Sequence, residues 1–282
     1  MSSRRPLKPL GGCLLVLALL LATEAHAKTR ADCDRVYQPQ FGQPGKDINW
    51  EPTVDPIVDL MLKMAQTTSR DLVIDLGAGD GAIVIGAAKR FHTRAIGIEY
   101  NPDLAKLAQC YVEVEGLTDK AQVIRGDIFH YDFSKATVLT LYLEYELNVR
   151  LRPTILDMRP GTRVVSHRHS MGDWQPDQKS DYQNDPVFFW IVPAKAQGQW
   201  TLKEPGGDTL RLSLTQTYQE LTGSVEVGGK KYSNLTGSLR GEAITVSFND
   251  ERNTEHHWTG TVKNGRMRLS EARGKPYEGA RA

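Results

Sequence analysis

The strongest indication of the fold is the sequence of residues 73–81, Val73-Ile74-Asp75-Leu76-Gly77-Ala78-Gly79-Asp80-Gly81. It starts as a continuous apolar run, which is typical of a strand buried on both faces of a parallel sheet. Its glycines permit positive φ and close approach of a ligand to the backbone, and the helix pattern that follows offers free N–H donors. The stretch therefore predicts a strand–turn–helix unit that binds a nucleotide-like ligand, the alternative being a tight turn without one.

Apolar strands and amphipathic helices alternate on both sides of this unit. We expect strands over residues 72–76, 94–99, 122–125, 137–143 and 162–167, and helices over residues 56–65, 82–91 and 101–115. A further helical stretch before the last of these strands is expected to be interrupted at Pro153. The alternation predicts an α/β domain over residues 53–195 with a doubly wound, mainly parallel sheet and right-handed crossovers.

The pattern changes after about residue 195 to short alternating segments separated by Gly-Gly, Asn-Gly and Asn-Asp turn signals. A weak echo of Leu-Thr-Gly-Ser begins at residues 221 and 235, and Trp-Thr-Gly-Thr begins at residue 258. We expect a small antiparallel β domain over residues 196–282, built as a meander or small barrel. It offers no catalytic constellation, so we interpret it as a binding or stabilising module.

The first 27 residues have the features of a secretory signal. Arg4, Arg5 and Lys8 form a basic start, residues 14–22 are apolar, and Ala25-His26-Ala27 has the small–x–small form of a cleavage site. The apolar run is short for a bilayer core of about 30 Å, although a retained anchor is the alternative. We expect cleavage at the end of this segment, a periplasmic or secreted protein without a stable membrane span, and an extended lead-in over residues 28–52.

Charge and cysteine content restrict the remaining possibilities. The formal net charge is +1, so no strong field favours nucleic acid or a membrane surface. Cys33 and Cys110 remain after the leader and could pair in an oxidising compartment, but the position of Cys110 in an expected helix favours a buried small apolar residue. His167 and His169 lack an evident third metal ligand, so we predict no metal site.

Two cofactor classes fit the glycine turn. Gly77-x-Gly79-x-x-Ala82 satisfies the dinucleotide fingerprint, and Glu99 at the end of the next strand would suit a ribose in either class. Asp75 separates the classes, because its carboxylate would repel a pyrophosphate. It suits a ligand that carries an amino group and a sulfonium. We therefore predict S-adenosylmethionine (SAM), with an NAD-type dinucleotide as the alternative.

At these residues the sequence resembles the class I SAM-dependent methyltransferases, whose first motif has this acidic-x-Gly-x-Gly form and whose fold is Rossmann-like. The resemblance implies that Glu99 binds the ribose hydroxyls and that Asp127, in Gly126-Asp127-Ile128, meets the adenine amino group. The expected SAM contacts are Thr53, Asp75, Gly77, Gly79, Asp80, Gly81, Glu99, Asp127 and Ile128.

A narrower resemblance is to a group of small methyltransferases that includes protein-lysine N-methyltransferases of the mitochondrial type and bacterial relatives. It is carried by residues 49–53, residues 140–143, Asn148 with Leu151-Arg152-Pro153, and residues 161–167. It implies that Thr53 lies by the SAM carboxylate and that residues 142–144 line the methyl-transfer pocket. Glu144-Tyr145-Glu146 departs from the apolar, proline-containing run expected there, so the substrate stays open.

Methyl transfer requires a nucleophile in line with the sulfonium methyl and the exclusion of water. Tyr142 or Glu144 could orient an amine or accept its proton; the alternative is that both only cap the fourth strand and contact the following helix. We expect an exported SAM-dependent methyltransferase that acts on a protein lysine or a small amine, not on nucleic acid. The alternative is an exported, non-catalytic SAM- or nucleoside-binding module whose β domain contacts a partner, because SAM is made in the cytoplasm.

Overall fold

The computed structural model describes residues 27–272 and 274–282. The secretory signal expected at the start of the chain lies outside the described residues, apart from Ala27. In the described part of the chain, no helix combines the length and apolar composition that crossing a membrane requires.

A seven-stranded sheet with helices on both faces forms the α/β domain. Its helices are α1 (Arg30–Asp34), α2 (Asp55–Met64), α3 (Ala82–Arg90), α4 (Pro102–Val114) and α5 (Tyr145–Leu156). Its strands are β1 (Leu72–Leu76), β2 (Arg94–Glu99), β3 (Ala121–Arg125), β4 (Val138–Leu141), β5 (Arg163–His167), β6 (Gln178–Tyr182) and β7 (Asp185–Ile191). The strand order is β3-β2-β1-β4-β5-β7-β6, so the expected doubly wound sheet is confirmed.

Strands β1 to β5 run parallel, whereas β7 is antiparallel to both β5 and β6. The central strand β1 is buried along almost its whole length, as its continuous apolar sequence predicts. Helix α4 begins at Pro102, and the side chain of Asn101 accepts hydrogen bonds from the amides of Asp103 and Leu104 at 2.9 and 3.3 Å. This cap fixes where the chain leaves β2 and enters the helix.

The expected interruption of the fourth helical stretch at Pro153 was wrong. Helix α5 runs through Pro153 without a break. The proline lies on the exposed face of the helix, while Asn148, Leu151 and Ile155 are buried on the opposite face. Water can satisfy a carbonyl that the proline leaves unbonded, and the buried contacts hold the helix together.

The lead-in is more ordered than its sequence indicates. It contains the short helix α1, followed by a hairpin in which the amide of Gly42 donates to the carbonyl of Trp50 at 2.9 Å. A disulfide joins Cys33 in α1 to Cys110 in α4. The interpretation of Cys110 as a buried apolar residue was therefore wrong, because the pattern of one helix does not show which segment packs across it.

The C-terminal strands form a closed antiparallel barrel. They are β8 (Gly198–Lys203), β9 (Thr209–Thr217), β10 (Glu220–Val227), β11 (Lys230–Arg240), β12 (Ala243–Asn249), β13 (Glu255–Lys263), β14 (Arg266–Ser270) and β15 (Tyr277–Arg281). The last strand pairs with β8 and closes the barrel. Burial alternates along β9 and β12, which places one set of side chains in the core and the other set outside. The expectation of a small antiparallel β domain is confirmed.

The turn between β9 and β10 of the barrel forms hydrogen bonds with the α/β domain. The indole N–H of buried Trp174 donates to Gln219 Oε1 at 2.8 Å, and Gln219 Nε2 donates to the carbonyl of Gln175 at 2.9 Å. Trp190 Nε1 donates to the carbonyl of Trp174 at 2.9 Å. Each buried indole N–H thus has a partner at this contact.

Candidate functional site

A cavity opens at the carboxyl ends of β1, β2 and β4, beside the point where the strand order reverses. Ligands of open α/β sheets bind in such crevices. Its walls come from the glycine turn after β1, from the residues after β2, β3 and β4, and from the lead-in hairpin. The lining includes these residues expected from the sequence: Thr53, Asp75, Gly77, Gly79, Asp80, Glu99, Asp127, Ile128, Tyr142 and Glu144.

The glycine turn brings main-chain atoms to the cavity. Gly77 and Gly79 have φ of +81° and +54°, in the left-handed region. A Cβ on Gly79 would lie 2.8 Å from Trp50 Nε1, and one on Gly77 would lie 2.7 Å from a methyl carbon of Leu143. Both positions therefore require glycine for conformation and for space.

Gly81 follows the two cavity-lining glycines of the turn, and its assignment as a cofactor contact stays a prediction. It is the N-cap of α3, with φ of +82°. A Cβ there would lie 3.1 Å from the Cβ of Ala108. The third glycine of the motif therefore allows α3 to pack closely against α4.

Asp75 is fully buried at the end of β1, where its Oδ1 accepts a hydrogen bond from Thr140 Oγ1 at 2.7 Å. Burial, together with the nearby carboxylates of Glu99 and Asp80, raises the pKa of Asp75 to about 7. A buried carboxylate without a cation pays a large desolvation cost when it ionises. A positively charged ligand would compensate this cost. Asp75 therefore favours a ligand that carries a positive charge.

Glu99 links the end of β2 to the glycine turn. Its Oε2 accepts from the amide of Gly79 at 2.8 Å, and its Oε1 accepts from the amide of Asn101 at 2.8 Å. Burial raises the pKa of Glu99 in spite of these hydrogen bonds. Because each carboxylate oxygen has a second lone pair, both can still accept hydrogen bonds from a ligand's hydroxyl groups.

Asp127 lies at the opposite wall, where Lys46 of the lead-in hairpin forms an ion pair with its Oδ2 at 2.8 Å. Its Oδ1 accepts from the amide of Phe129 at 3.0 Å. The hydrogen bond from Lys46 lowers the pKa of Asp127 to about 2. The carboxylate is therefore ionised at neutral pH, and its contact with an adenine amino group stays a prediction.

Tyr142 follows β4, and its hydroxyl donates to Glu51 Oε2 at 2.7 Å. The same Glu51 oxygen accepts from Arg168 Nη1 at 2.8 Å. The ring of Tyr142 packs on buried His167 with a centroid distance of 4.2 Å. Burial and then the hydrogen bond to Glu51 raise the pKa of Tyr142, so its hydroxyl is protonated at neutral pH.

Glu144 occupies the N-cap position of α5, but its side chain forms no capping hydrogen bond. It is exposed at the mouth of the cavity, and its Oε2 lies 3.4 Å from His169 Nε2. The alternative that Tyr142 and Glu144 only cap the fourth strand and contact the following helix stays open, because Glu144 stands at the start of that helix. Their participation in the reaction stays a prediction.

The wall from the lead-in contains the site residues that the sequence pattern missed. Lys46, Trp50 and Glu51 line the cavity. The contact of Lys46 with Asp127 spans 81 residues, and that of Glu51 with Tyr142 spans 91 residues. Trp50 and Glu51 lie within residues 49–53, which contribute to the narrower resemblance, whereas no sequence signal marked Lys46.

The cavity fits SAM by the chemistry of its groups. SAM carries an ammonium, a sulfonium, a ribose diol and an adenine amine, and each of these is attracted to a carboxylate or donates a hydrogen bond to one. Asp75, Glu99 and Asp127 supply carboxylates at three strand ends around a turn whose glycines leave the space that side chains would fill. A dinucleotide would place its pyrophosphate against Asp75, where like charges repel.

Comparisons with known proteins agree with this fit. The ANTKMT methyltransferase domain model matches residues 75–178. A protein-lysine N-methyltransferase from Saccharolobus islandicus (strain REY15A) is 35% identical over 151 residues, which cover 51% of this chain and 94% of that protein. The adenine nucleotide translocase lysine N-methyltransferase of Mus musculus is 30% identical over 121 residues, which cover 43% of this chain and 53% of that protein.

A solved structure extends the comparison to three dimensions. A protein from Salinibacter ruber, described as an RNA methyltransferase in complex with S-adenosyl-L-homocysteine, is 44% identical, with a TM-score of 0.51. The match covers 51% of this chain and 95% of that chain. The resemblance expected from the motif residues is confirmed, and SAM is the cofactor. The chain therefore belongs to the class I SAM-dependent methyltransferases, in the lysine N-methyltransferase-like group that includes the Saccharolobus protein.

Proposed function

We propose that this protein methylates the ε-amine of lysine side chains in a protein substrate. The observation that carries the proposal is the wall of the cavity at Tyr142, where carboxylates surround a protonated phenol. Glu51 and Glu144 both line this wall, where Arg168 pairs with Glu51, whereas Lys46 pairs with Asp127 elsewhere in the cavity. A lysine ammonium is attracted to such a wall. The names of the Saccharolobus and Mus relatives support the same substrate class.

When bound, SAM supplies an electrophilic methyl group on its sulfonium. The acceptor amine must be neutral to attack, and its lone pair must point at that methyl group. The hydroxyl hydrogen of Tyr142 is engaged by Glu51, so the lone pairs of the phenol oxygen can accept an N–H of the amine and orient it. The lead-in hairpin forms part of the wall and limits the access of water.

RNA is the competing acceptor, because the Salinibacter protein is described as an RNA methyltransferase. A polyanion would approach Glu51 and Glu144, which like charge disfavours. The formal charge of +1 on the whole chain gives no compensating basic field. We therefore place RNA second to lysine.

The test is an acceptor comparison with SAM labelled on its methyl group. Poly-L-lysine and a mixed RNA polymer are offered separately, and methyl-lysines are measured after acid hydrolysis. We expect label in lysine, and loss of that label in Asp75→Asn. Label in RNA with none in poly-L-lysine would contradict the proposal.

We also propose that the protein acts outside the cytoplasm. The features of residues 1–27 support export, and so does the Cys33–Cys110 disulfide, since disulfides persist mainly in oxidising compartments. Mass spectrometry of the protein in its native host should find an N-terminus close to Lys28 in the exported fraction. A chain that retains Met1 or Ser2 and is confined to the cytoplasm would refute this proposal.

A further inference from the structure

Glu51 presents one engaged and one free carboxylate oxygen at the wall of the cavity. Its Oε2 accepts from both Tyr142 Oη, at 2.7 Å, and Arg168 Nη1, at 2.8 Å. Its Oε1 has no hydrogen-bond partner within residues 27–272 and 274–282. The side chain is about one-third exposed, at 34%, and it lines the cavity. An ionised carboxylate oxygen without a partner, on a side chain that lines the cavity, is available for a donor from the ligand.

The engaged side of Glu51 is held in place by an ion-pair chain. Arg168 also binds Asp185 through two hydrogen bonds, Nε to Oδ1 at 3.0 Å and Nη2 to Oδ2 at 3.2 Å. The backbone of Arg168 is left-handed, with φ of +66°, and its amide donates to the carbonyl of Pro186 at 2.7 Å. A non-glycine residue in this conformation costs free energy, which the surrounding contacts must offset. The guanidinium therefore has a defined position from which it fixes Glu51.

The charges at this wall favour a cation. Two carboxylates, those of Glu51 and Glu144, line the wall beside the guanidinium of Arg168, and Arg168 also pairs with Asp185 outside the lining. Burial lowers the pKa of His167, the neighbour of Tyr142, so its imidazole is neutral at pH 7. The hydrogen bonds from Tyr142 and Arg168 lower the pKa of Glu51, which keeps its carboxylate ionised.

We propose that Glu51 is a substrate-binding residue whose Oε1 receives the ammonium group of the entering lysine and delivers it beside Tyr142 Oη. The inference deepens the proposed function and rests on it. The low proton affinity of Glu51 makes it a binding group and not the base. The amine loses its proton to water before it attacks, and Glu51 selects side chains that carry a positive charge.

Sinefungin tests this assignment without knowledge of the natural substrate. It carries an amine on carbon where SAM carries the methyl on sulfur, so it places a cation where the acceptor amine meets the cofactor. S-adenosylhomocysteine lacks both the amine and the methyl group, and it serves as the reference ligand. The affinities of the full chain for the two compounds are measured by calorimetry, and their ratio isolates the contribution of the cation.

The test variant is Glu51→Gln, because an amide oxygen can still accept from Tyr142 and Arg168 while the charge is lost. We expect the preference for sinefungin over S-adenosylhomocysteine to fall about tenfold, the effect of removing one charge-assisted hydrogen bond. The Kd of S-adenosylhomocysteine should change less than about twofold, because the cofactor contacts remain. Glu146→Gln is the matched control, since Glu146 is exposed on α5 outside the cavity lining.

An unchanged preference in Glu51→Gln would overturn the inference, and so would loss of S-adenosylhomocysteine binding, which would show a purely structural role. With poly-L-lysine as acceptor, we expect KM to rise about tenfold with kcat within about threefold, because a binding contact is lost. A fall in kcat at constant KM would contradict the assignment. If the wild-type protein does not methylate poly-L-lysine, the proposed function fails on that result, while the sinefungin ratio still decides the role of Glu51.

Discussion

Replacing Asp75 with asparagine should stabilise the ligand-free protein while it abolishes SAM binding. Asp75 is fully buried, and its Oδ1 accepts one hydrogen bond, from Thr140. Asparagine has nearly the same shape, and its amide oxygen can accept that hydrogen bond. Asp75→Asn therefore removes a buried charge with little change in packing, but it also removes the carboxylate that would compensate a cationic ligand.

The magnitude follows from the pKa of Asp75, which burial raises from 3.8 to about 7. In the interval between these values the folded state holds a proton that the unfolded state has lost, so the free energy of unfolding falls as pH rises. Each pH unit costs about 1.4 kcal/mol. The wild-type protein should therefore lose about 2 kcal/mol relative to Asp75→Asn between pH 5 and pH 7, and little more above pH 7.

The assay is urea unfolding of both proteins at pH 5 and pH 8, followed by the helical circular dichroism signal. All described helices lie between Arg30 and Leu156, so this signal reports on the α/β domain and not on the barrel. The variant's advantage should be larger at pH 8 than at pH 5. An equal advantage at both pH values, or a less stable variant at pH 8, would refute the electrostatic account of Asp75.

Three further perturbations test separate parts of the structure. Gly79→Ala places a Cβ on a residue with left-handed backbone, so it should lower the free energy of unfolding by about 1–2 kcal/mol. It should also weaken SAM binding about tenfold or more, and equal SAM affinity would contradict the role of the turn. Replacing Cys33 and Cys110 with serine removes a disulfide between positions 77 residues apart and should lower the free energy of unfolding by about 4 kcal/mol in the same urea assay. An unchanged midpoint would show that the disulfide does not stabilise the domain. Tyr142→Phe should reduce kcat about tenfold with an unchanged Kd for SAM, and an unaltered kcat would remove the phenol from the proposed reaction.

The parallel sheet and the cofactor end of the site were predictable because their signals are local. A continuous apolar run such as residues 72–76 predicts a buried strand, and the glycines after it predict the turn. Once the strands are known to be parallel, the residues that follow them must meet at one edge of the sheet. This reasoning places Asp75 and Glu99 at one edge of the sheet, and the resemblance to the methyltransferases added Asp127 to the site.

The hairpin that extends the sheet could not be predicted in the same way. Strand β6 is mostly polar and has no fully buried residue, because it is the edge strand of the sheet. The barrel strands except β15 were expected from their alternation, which left a meander and a small barrel as alternatives. Closure depends on the pairing of β15 with β8, which no local pattern records.

The acceptor side of the site was only partly predictable, because it is built from long-range contacts. Tyr142 and Glu144 were expected from the resemblance, whereas Lys46 and Glu51 reach the cavity only because the lead-in folds back over the sheet edge. The disulfide holds this segment to α4, and its pairing also depends on the tertiary structure. Segments without a helical or strand-like hydrophobic period can therefore contain site residues, and hydrophobic periodicity does not identify them.

Calorimetric titration of SAM into the full chain measures whether the cavity binds the cofactor through Asp75. We expect one site per chain with a micromolar Kd, and no detectable binding to Asp75→Asn at the same concentrations. Absence of binding to the wild-type protein at millimolar SAM would contradict this expectation, and so would undiminished binding to the variant.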